Sequence, residues 1–370
     1  MQQLAKISLF LKKNRVEQMR QILLQAGVRD IFHTSGSMPR LNHKSFLPSF
    51  LNSPIAYDPG EYLSFLIPVN EEKNCINYLM TAVNGVDQRW GTIFSQHVSL
   101  KQGDKNAFIN TSLEFKNDLD PEQVKLHEDL IGITCIVQRG ASESISRVAL
   151  ESSAVPLITY GNGTGLRNKL GLLRITIPAE KEILRFIVHS GDVDYFLAML
   201  IKKGQLDQPG KGFVYTWPIS LGTSPLLAIQ DAGGQAASIE QIIAAIDNLA
   251  GGVNWREKNL EEGHEQYSYF SGVDLNLICN EGFSNDLVSK AMVAGLGGAT
   301  IEQWDLSDCS AIGKQVSLAR ELCTMTVAPQ ALEKVIENMT ENQAFNSSCQ
   351  GFVLQGESSQ AFTYIKKKVA

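Results

Sequence analysis

The chain has 370 residues, 44% of them hydrophobic and 19% charged. That length suits two or three domains, and the composition excludes a disordered chain. The formal net charge of -6 excludes the broadly basic footprint of a general nucleic-acid binder and gives no reason to expect an anionic membrane surface as partner.

The first predicted element is a strand in "KISLFLKK", from Lys6, with a helical pattern after it in "VEQMRQILLQ". Lys12, Lys13 and Arg15 close the short apolar run, so it reads as a first strand and not a signal peptide. Residues 33–59 then read as a long loop carrying Phe46, Leu47, Phe50 and Leu51 among Pro, Ser and Asn. Such a loop either docks a partner or folds its aromatics back on a neighbouring sheet, and the second reading is preferred. "GEYLSFLIPVNEEKNCINYLMTAVNGVDQRWGTIFS", from Gly60, reads strand, helix, then a glycine (Gly91) opening another strand. Residues 101–130 are polar, with Asp120-Pro121 before "EQVKL" as a helix start.

"GITCIVQRGASESISRVALESSAV", from Gly132, is again strand and helix, with Ser142 as the expected N-cap. "YGNGTGLRNKLG" follows at residues 160–171. From Lys181 comes "KEILRFIVHSGDVDYFLAMLIKKGQLDQPGKGFVYT", whose strand-opening glycine is Gly212. A second polar segment, residues 230–271, contains "SIEQIIAAIDNLAGG". There Ser238 and Gln241 have capping-box spacing, Ile239, Ile242, Ile243, Ile246 and Leu249 share a face, and Gly251 with Gly252 ends the helix. "VDLNLICNEGFSNDLVSKAMVAGL", from Val273, opens the last third with Ser284 as its expected N-cap. "AGLGGAT" at the end of that helix reads as a C-cap turn. From Arg320 comes "RELCTMTVAPQALEKVIENMTENQAFNSSCQGFVLQ", and the tail bears Lys366, Lys367 and Lys368, read as solvated.

The segments from Gly60, Lys181 and Arg320 align without a gap, so Gly91, Gly212 and Gly351 coincide. The preceding residue is Trp90, Lys211 or Gln350. The upstream halves, from Lys6, Gly132 and Val273, match more loosely. Each copy reads β-α-β followed by β-α-β, which predicts an α+β chain of three tandem ferredoxin-like (split βαβ) domains at 1–100, 130–229 and 272–370. Linkers at 101–129 and 230–271 join them.

"GQLDQPGKGFVYTWPI", residues 204–219, resembles the turn before the last core strand of P-II-type nitrogen regulatory signal proteins. In that family a glycine-rich loop ending in Gly-Lys precedes a strand of the Phe-Val type. "YGNGTGLRNKLG" is similar to the base of the family's T-loop, which carries Gly-x-Gly. The second copy carries these motifs, and the first and third match in layout only. The resemblance implies homotrimers of ferredoxin-like subunits that bind ATP or ADP in the clefts between neighbours and are not enzymes. They sense nucleotide state and often 2-oxoglutarate, and regulate transporters and enzymes by docking the T-loop. Three copies in one chain then imply a pseudo-threefold trimer written as a single, monomeric polypeptide. The family's paired C-loop arginines are not evident, and the second copy's T-loop is short, with no tyrosine beyond Tyr160. Loop uridylylation and 2-oxoglutarate sensing are therefore not expected.

Phosphates bind where backbone N–H groups point outward unobstructed and a cation neutralises the charge. Gly210, Lys211 and Gly212 offer both, with Pro209 presetting the turn. By resemblance Gly161 and Gly163 join them as nucleotide contacts, and Arg167 is added from its charge and proximity in sequence. Trp90 and Gln350 bring no charge, so at most one nucleotide site per chain is expected. Five residues separate Gly204 from Gly210, and Gly212 follows the lysine, so this is not a Walker A loop. "GNGTG" lacks the dinucleotide-binding fingerprint's last glycine.

The six cysteines, Cys75, Cys135, Cys279, Cys309, Cys323 and Cys349, include no C-x-x-C pair, which fits a reduced, cytoplasmic setting. The six histidines show no metal-ligand spacing, so no metal site is expected. Nothing assembles a nucleophile, a base and an oxyanion site, so no catalytic residues and no enzyme are expected. The expected function is a nucleotide-responsive regulatory protein that senses ATP or ADP and controls a transporter or metabolic enzyme by docking. The alternative is a degenerate scaffold that binds protein partners without nucleotide, and an enzyme is the weakest reading.

Overall fold

The computed structural model describes residues 2–41, 55–84, 91–103, 108–115, 126–151, 154–165, 179–223, 267–307 and 316–364. The first group of elements is β1 (Gln2–Lys12), α1 (Val16–Gln25), β2 (Ile31–Leu41), β3 (Ile55–Pro68), α2 (Glu72–Asn84) and β4 (Gly91–Gln102). The second is β5 (Leu130–Gln138), α3 (Ser142–Glu151), β6 (Leu157–Gly165), β7 (Glu180–His189), α4 (Val193–Gly204) and β8 (Gly212–Pro218), with a two-residue strand β9 (Leu221–Gly222) after it. The third is β10 (Phe270–Asn280), α5 (Ser284–Ala291), β11 (Gly298–Ser307), β12 (Ala319–Val327), α6 (Leu332–Glu341) and β13 (Phe352–Thr363). The fold is mixed α/β with one large antiparallel sheet. Within the groups the strands run β4-β1-β3-β2, β8-β5-β7-β6 and β13-β10-β12-β11. Pairings β13–β8, β13–β4, β11–β6 and β11–β2 join the groups edge to edge. Few sheet edges are thereby left open to solvent.

Each sheet face has its own core. The outer faces pack on the paired helices of their own group, as where Ile7, Phe65 and Leu79 meet in the first group and Phe186, Phe196 and Leu200 in the second. The inner faces share one central core that draws Phe10, Tyr62 and Phe94 from the first group, Trp217 from the second, and Trp304 and Phe352 from the third. Strands buried on both faces become almost continuously apolar, as in "LIGITCIVQ" of β5.

Ladder registers fix the internal equivalences. Ser8 faces Ser64, Thr134 faces Arg185, and Asn276 faces Thr324. With the later halves aligned from Gly60, Lys181 and Arg320, Lys6 corresponds to Gly132 and Asp274. The upstream match from Val273 is corrected by one residue, a slip that matters because it exchanges the two faces of a strand. In the later halves the helices begin in step at Glu72, Val193 and Leu332. A Cβ at Gly91 would lie 2.1 Å from the Phe10 carbonyl oxygen, and one at Gly212 would lie 2.5 Å from that of Ile136, the equivalent residue. The coincident glycines therefore answer a close backbone approach.

Two local expectations are corrected. Residues 33–59 are not simply a loop: β2 and β3 pair from Phe32↔Ser64 out to Leu41↔Ile55. Phe46, Leu47, Phe50 and Leu51 lie outside the described residues, as do the helix expected after Ser238, the helix start at Asp120-Pro121, Cys309 and the lysine tail. Ser142 and Ser284 are first helical residues instead of side-chain caps. Their backbone N–H groups donate to the buried carboxylates of Glu182 and Glu321, each at 3.0 Å. The C-cap reading of Gly295 holds, with φ at +111°. Among the described residues no helix is long and apolar enough to cross a membrane.

Candidate functional site

A cavity of about 550 Å³ opens between the second and third groups. Its wall on the second group is built around the turn between α4 and β8. That helix ends where Gln205 takes a left-handed conformation, φ 54° and ψ 34°. Gly210 turns the chain again at φ +75°. Gln138 Nε2 donates to the Gly210 carbonyl at 3.0 Å, and Thr363 Oγ1, from the third group, donates to the Gly212 carbonyl at 3.0 Å. The glycine carbonyls are thus tied down from both groups, and Lys211 is held between them at the cavity wall.

Lys181, at the start of β7, supplies a second ammonium. Burial pushes it below the ordinary lysine value. A Cβ on Gly163 would come within 2.7 Å of Lys181 Cε, so the lysine stem lies across that glycine. The aromatic part of the wall is Phe213, stacked on Tyr215 with centroids 5.5 Å apart, and Phe270 of the third group, 6.3 Å from Phe213. The hydroxyls of Thr164 and Thr326 are buried at this cavity without a hydrogen-bond partner. Two cations and an aromatic wall suit a partly aromatic anion.

Of the residues read from sequence, Gly163, Gly210, Lys211 and Gly212 come together at this cavity. Gly161 does not. It sits inside the sheet, opposite Lys181 of β7 and Glu302 of β11, where a Cβ would meet the Ile301 carbonyl oxygen at 2.6 Å. The Gly163 N–H is also engaged, donating to the Ala179 carbonyl at 2.7 Å. Gly161 and Gly163, expected as nucleotide contacts, therefore lie in a strand paired on both sides, with their backbone engaged in the sheet. Arg167 lies outside the described residues. The sequence reading missed Gly295, Gly297 and Gly298, which form the cavity's third-group rim. Their signal was the glycine run itself, absorbed into a helix-ending turn.

A second buried polar cluster sits where the three groups meet. Arg185 of β7 pairs with Glu302 of β11, and its Nη1 donates to Thr159 Oγ1 at 2.7 Å. Thr159 donates onward to Glu302 Oε2 at 2.5 Å, and Tyr62 of β3 lies under the guanidinium at 5.3 Å. Burial alone would favour the neutral guanidine, but Glu302 beside it outweighs burial and holds the charge. The adjoining space, about 20 Å³ beside Lys6, Gln96 and Asp274, has room for a single water. This cluster fastens the groups together and offers no room for a substrate.

No protein-family model matches the chain, and no curated protein matches it. Among solved structures, a mutant chlorite dismutase from Candidatus Nitrospira defluvii aligns over 65% of this chain and 95% of its own, at 11% identity and a TM-score of 0.17. That score is too low to carry an argument about fold or activity. The resemblance to P-II-type signal proteins is corrected by these comparisons: neither a family model nor a curated relative supports it. Its two motifs are short glycine-rich stretches, one a turn before β8 and one inside β6, and such stretches arise independently wherever backbone must pass close to backbone.

Proposed function

We propose that the chain is a binding protein for a nucleotide-sized anion, ATP or ADP, held between its second and third groups and read out by how those groups pack. The carrying observation is the cavity of about 550 Å³ that joins Lys211 and Lys181 to Phe213 and Phe270. Its size falls within the range of small-ligand sites. A phosphate chain at Lys211 and a base against the aromatic wall would use each feature. The site also spans two groups, so a ligand that prefers one packing of them shifts that equilibrium. The same strand order in all three groups supports reading them as ferredoxin-like domains about a pseudo-threefold axis. Lysine stands at the strand-opening turn of the second copy, where the third has Gln350, which supports one such site per chain.

Calorimetry with ATP, ADP, AMP and adenosine tests this reading. Saturable heat with the phosphorylated ligands is expected. Lys211→Ala should weaken it about tenfold, the worth of one charge-assisted hydrogen bond. A folded wild-type chain that gives no heat with any of the four sinks the proposal.

A further inference from the structure

The opposite end of β7 carries a different cluster. His189 closes that strand, eight residues and about 26 Å along from Lys181. Leu130 pairs with His189, which brings Asp129 alongside it, and the Ser190 N–H donates to the Asp129 carbonyl at 2.8 Å. His127 lies two residues before Asp129, at the start of a bend that leads into β5. Its backbone is fixed by a pair of hydrogen bonds with Gly222, at 2.8 and 2.9 Å.

The side chains converge. His189 Nδ1 is 3.2 Å from Asp129 Oδ2, and His127 Nδ1 is 3.4 Å from Asp129 Oδ1. The imidazole rings stand 5.3 Å apart at 72° to each other. One donor atom from each residue lies within 4.8 Å of the others. Two ligands bound at zinc-like distances to a tetrahedral ion are about 3.4 Å apart; each histidine–carboxylate separation is close to that, the two running to different oxygens of Asp129, so a small rotation of the carboxylate presents one oxygen to an ion between the rings. The Asp129 side chain is 61% exposed and those of His127 and His189 are 16% and 28% exposed, so the donors are held from the protein side while water reaches the other.

We propose that His127, Asp129 and His189 bind one divalent ion of the zinc class. Two imidazole nitrogens and one carboxylate oxygen suit such an ion better than magnesium or calcium, which take all-oxygen sets. Water completes the coordination. Gly222, clipped to His127, also pairs with Phe94 of β4, so the ion cross-links β5 and β7 close to where the second group meets the first. The site is independent of the nucleotide cavity and stands or falls separately.

The full-length chain, dialysed against chelator, is titrated with Co²⁺ and then Zn²⁺. One equivalent of Co²⁺ per chain, visible d–d bands, their loss on adding Zn²⁺, and a Zn²⁺-dependent rise in thermal midpoint are expected. His127→Ala or His189→Ala should weaken binding at least about hundredfold, and Asp129→Asn about tenfold. His97→Ala, whose side chain sits on Glu72 instead, should leave it unchanged. If an alanine variant fails to fold, His189→Gln replaces it with the same expected loss. No stoichiometric Co²⁺ uptake by the wild-type chain, or uptake that survives both histidine substitutions, overturns the proposal and leaves a hydrogen-bonded clasp.

Discussion

Glu61, Glu182 and Glu321 occupy the same place in the three aligned segments, and all three are buried. Two of them accept a helix's first N–H, a stabilising placement for a carboxylate because the helix N-terminus carries partial positive charge. The third, Glu61, meets Lys13 and His33. Burial pushes its carboxyl up, but the hydrogen bonds from His33 and Lys13 outweigh burial and hold it below the usual range. A depressed carboxylate contributes stability that is present above its unfolded value and is lost as pH falls through the folded one. The resistance of the wild type to urea should therefore fall below about pH 4.3, and Glu61→Gln should flatten that acid limb. Lys13 is half-exposed, so the neutral-pH cost of Glu61→Gln should be only about 1 kcal/mol. The sequence shows the three glutamates in register but not their partners. Ser142 and Ser284 attracted the capping role because they are local, while the carboxylates that do the capping come from a strand some forty residues away.

At the scale of elements, β6 separates two glycines that look alike in sequence. Gly161 faces a carbonyl of β11, and backbone cannot retreat without breaking the ladder. Gly163 faces the flexible stem of Lys181, which can move. Gly161→Ala should destabilise the chain by about 2 kcal/mol, seen as a lower denaturation midpoint. Gly163→Ala should leave the midpoint nearly unchanged while displacing Lys181 and weakening nucleotide binding severalfold in calorimetry. Equal stability losses in the two variants would contradict this distinction. The strand–helix order was legible because alternating and helical apolar patterns differ in period. That the Gly-x-Gly stretch belongs to a strand was not, because its partners, β7 and β11, lie far along the chain.

Across the whole molecule, the Arg185–Glu302 pair links the second and third groups, with Tyr62 of the first against it. Removing one partner leaves a buried charge uncompensated. Glu302→Ala should cost about 3 to 5 kcal/mol, whereas Arg185→Met combined with Glu302→Leu should recover much of it in equilibrium unfolding. An additive loss in the double variant would show that the pair is not the coupling element.

The sequence by itself determined the alternation of strands and helices, the gapless alignment of the segments from Gly60, Lys181 and Arg320, and the single lysine-bearing turn at Lys211. Each is written in local periodicity or in direct self-alignment. Tertiary structure decided which turns face each other: it brought the glycines after α5 to the Lys211 turn, closed Gly161 into a ladder, and gathered His127, Asp129 and His189 from a strand's approach and another strand's end. Those juxtapositions depend on strand register and on the packing of one group against the next. Neither leaves a period in the sequence, because the residues that meet are set by ladders between distant segments and not by their neighbours along the chain.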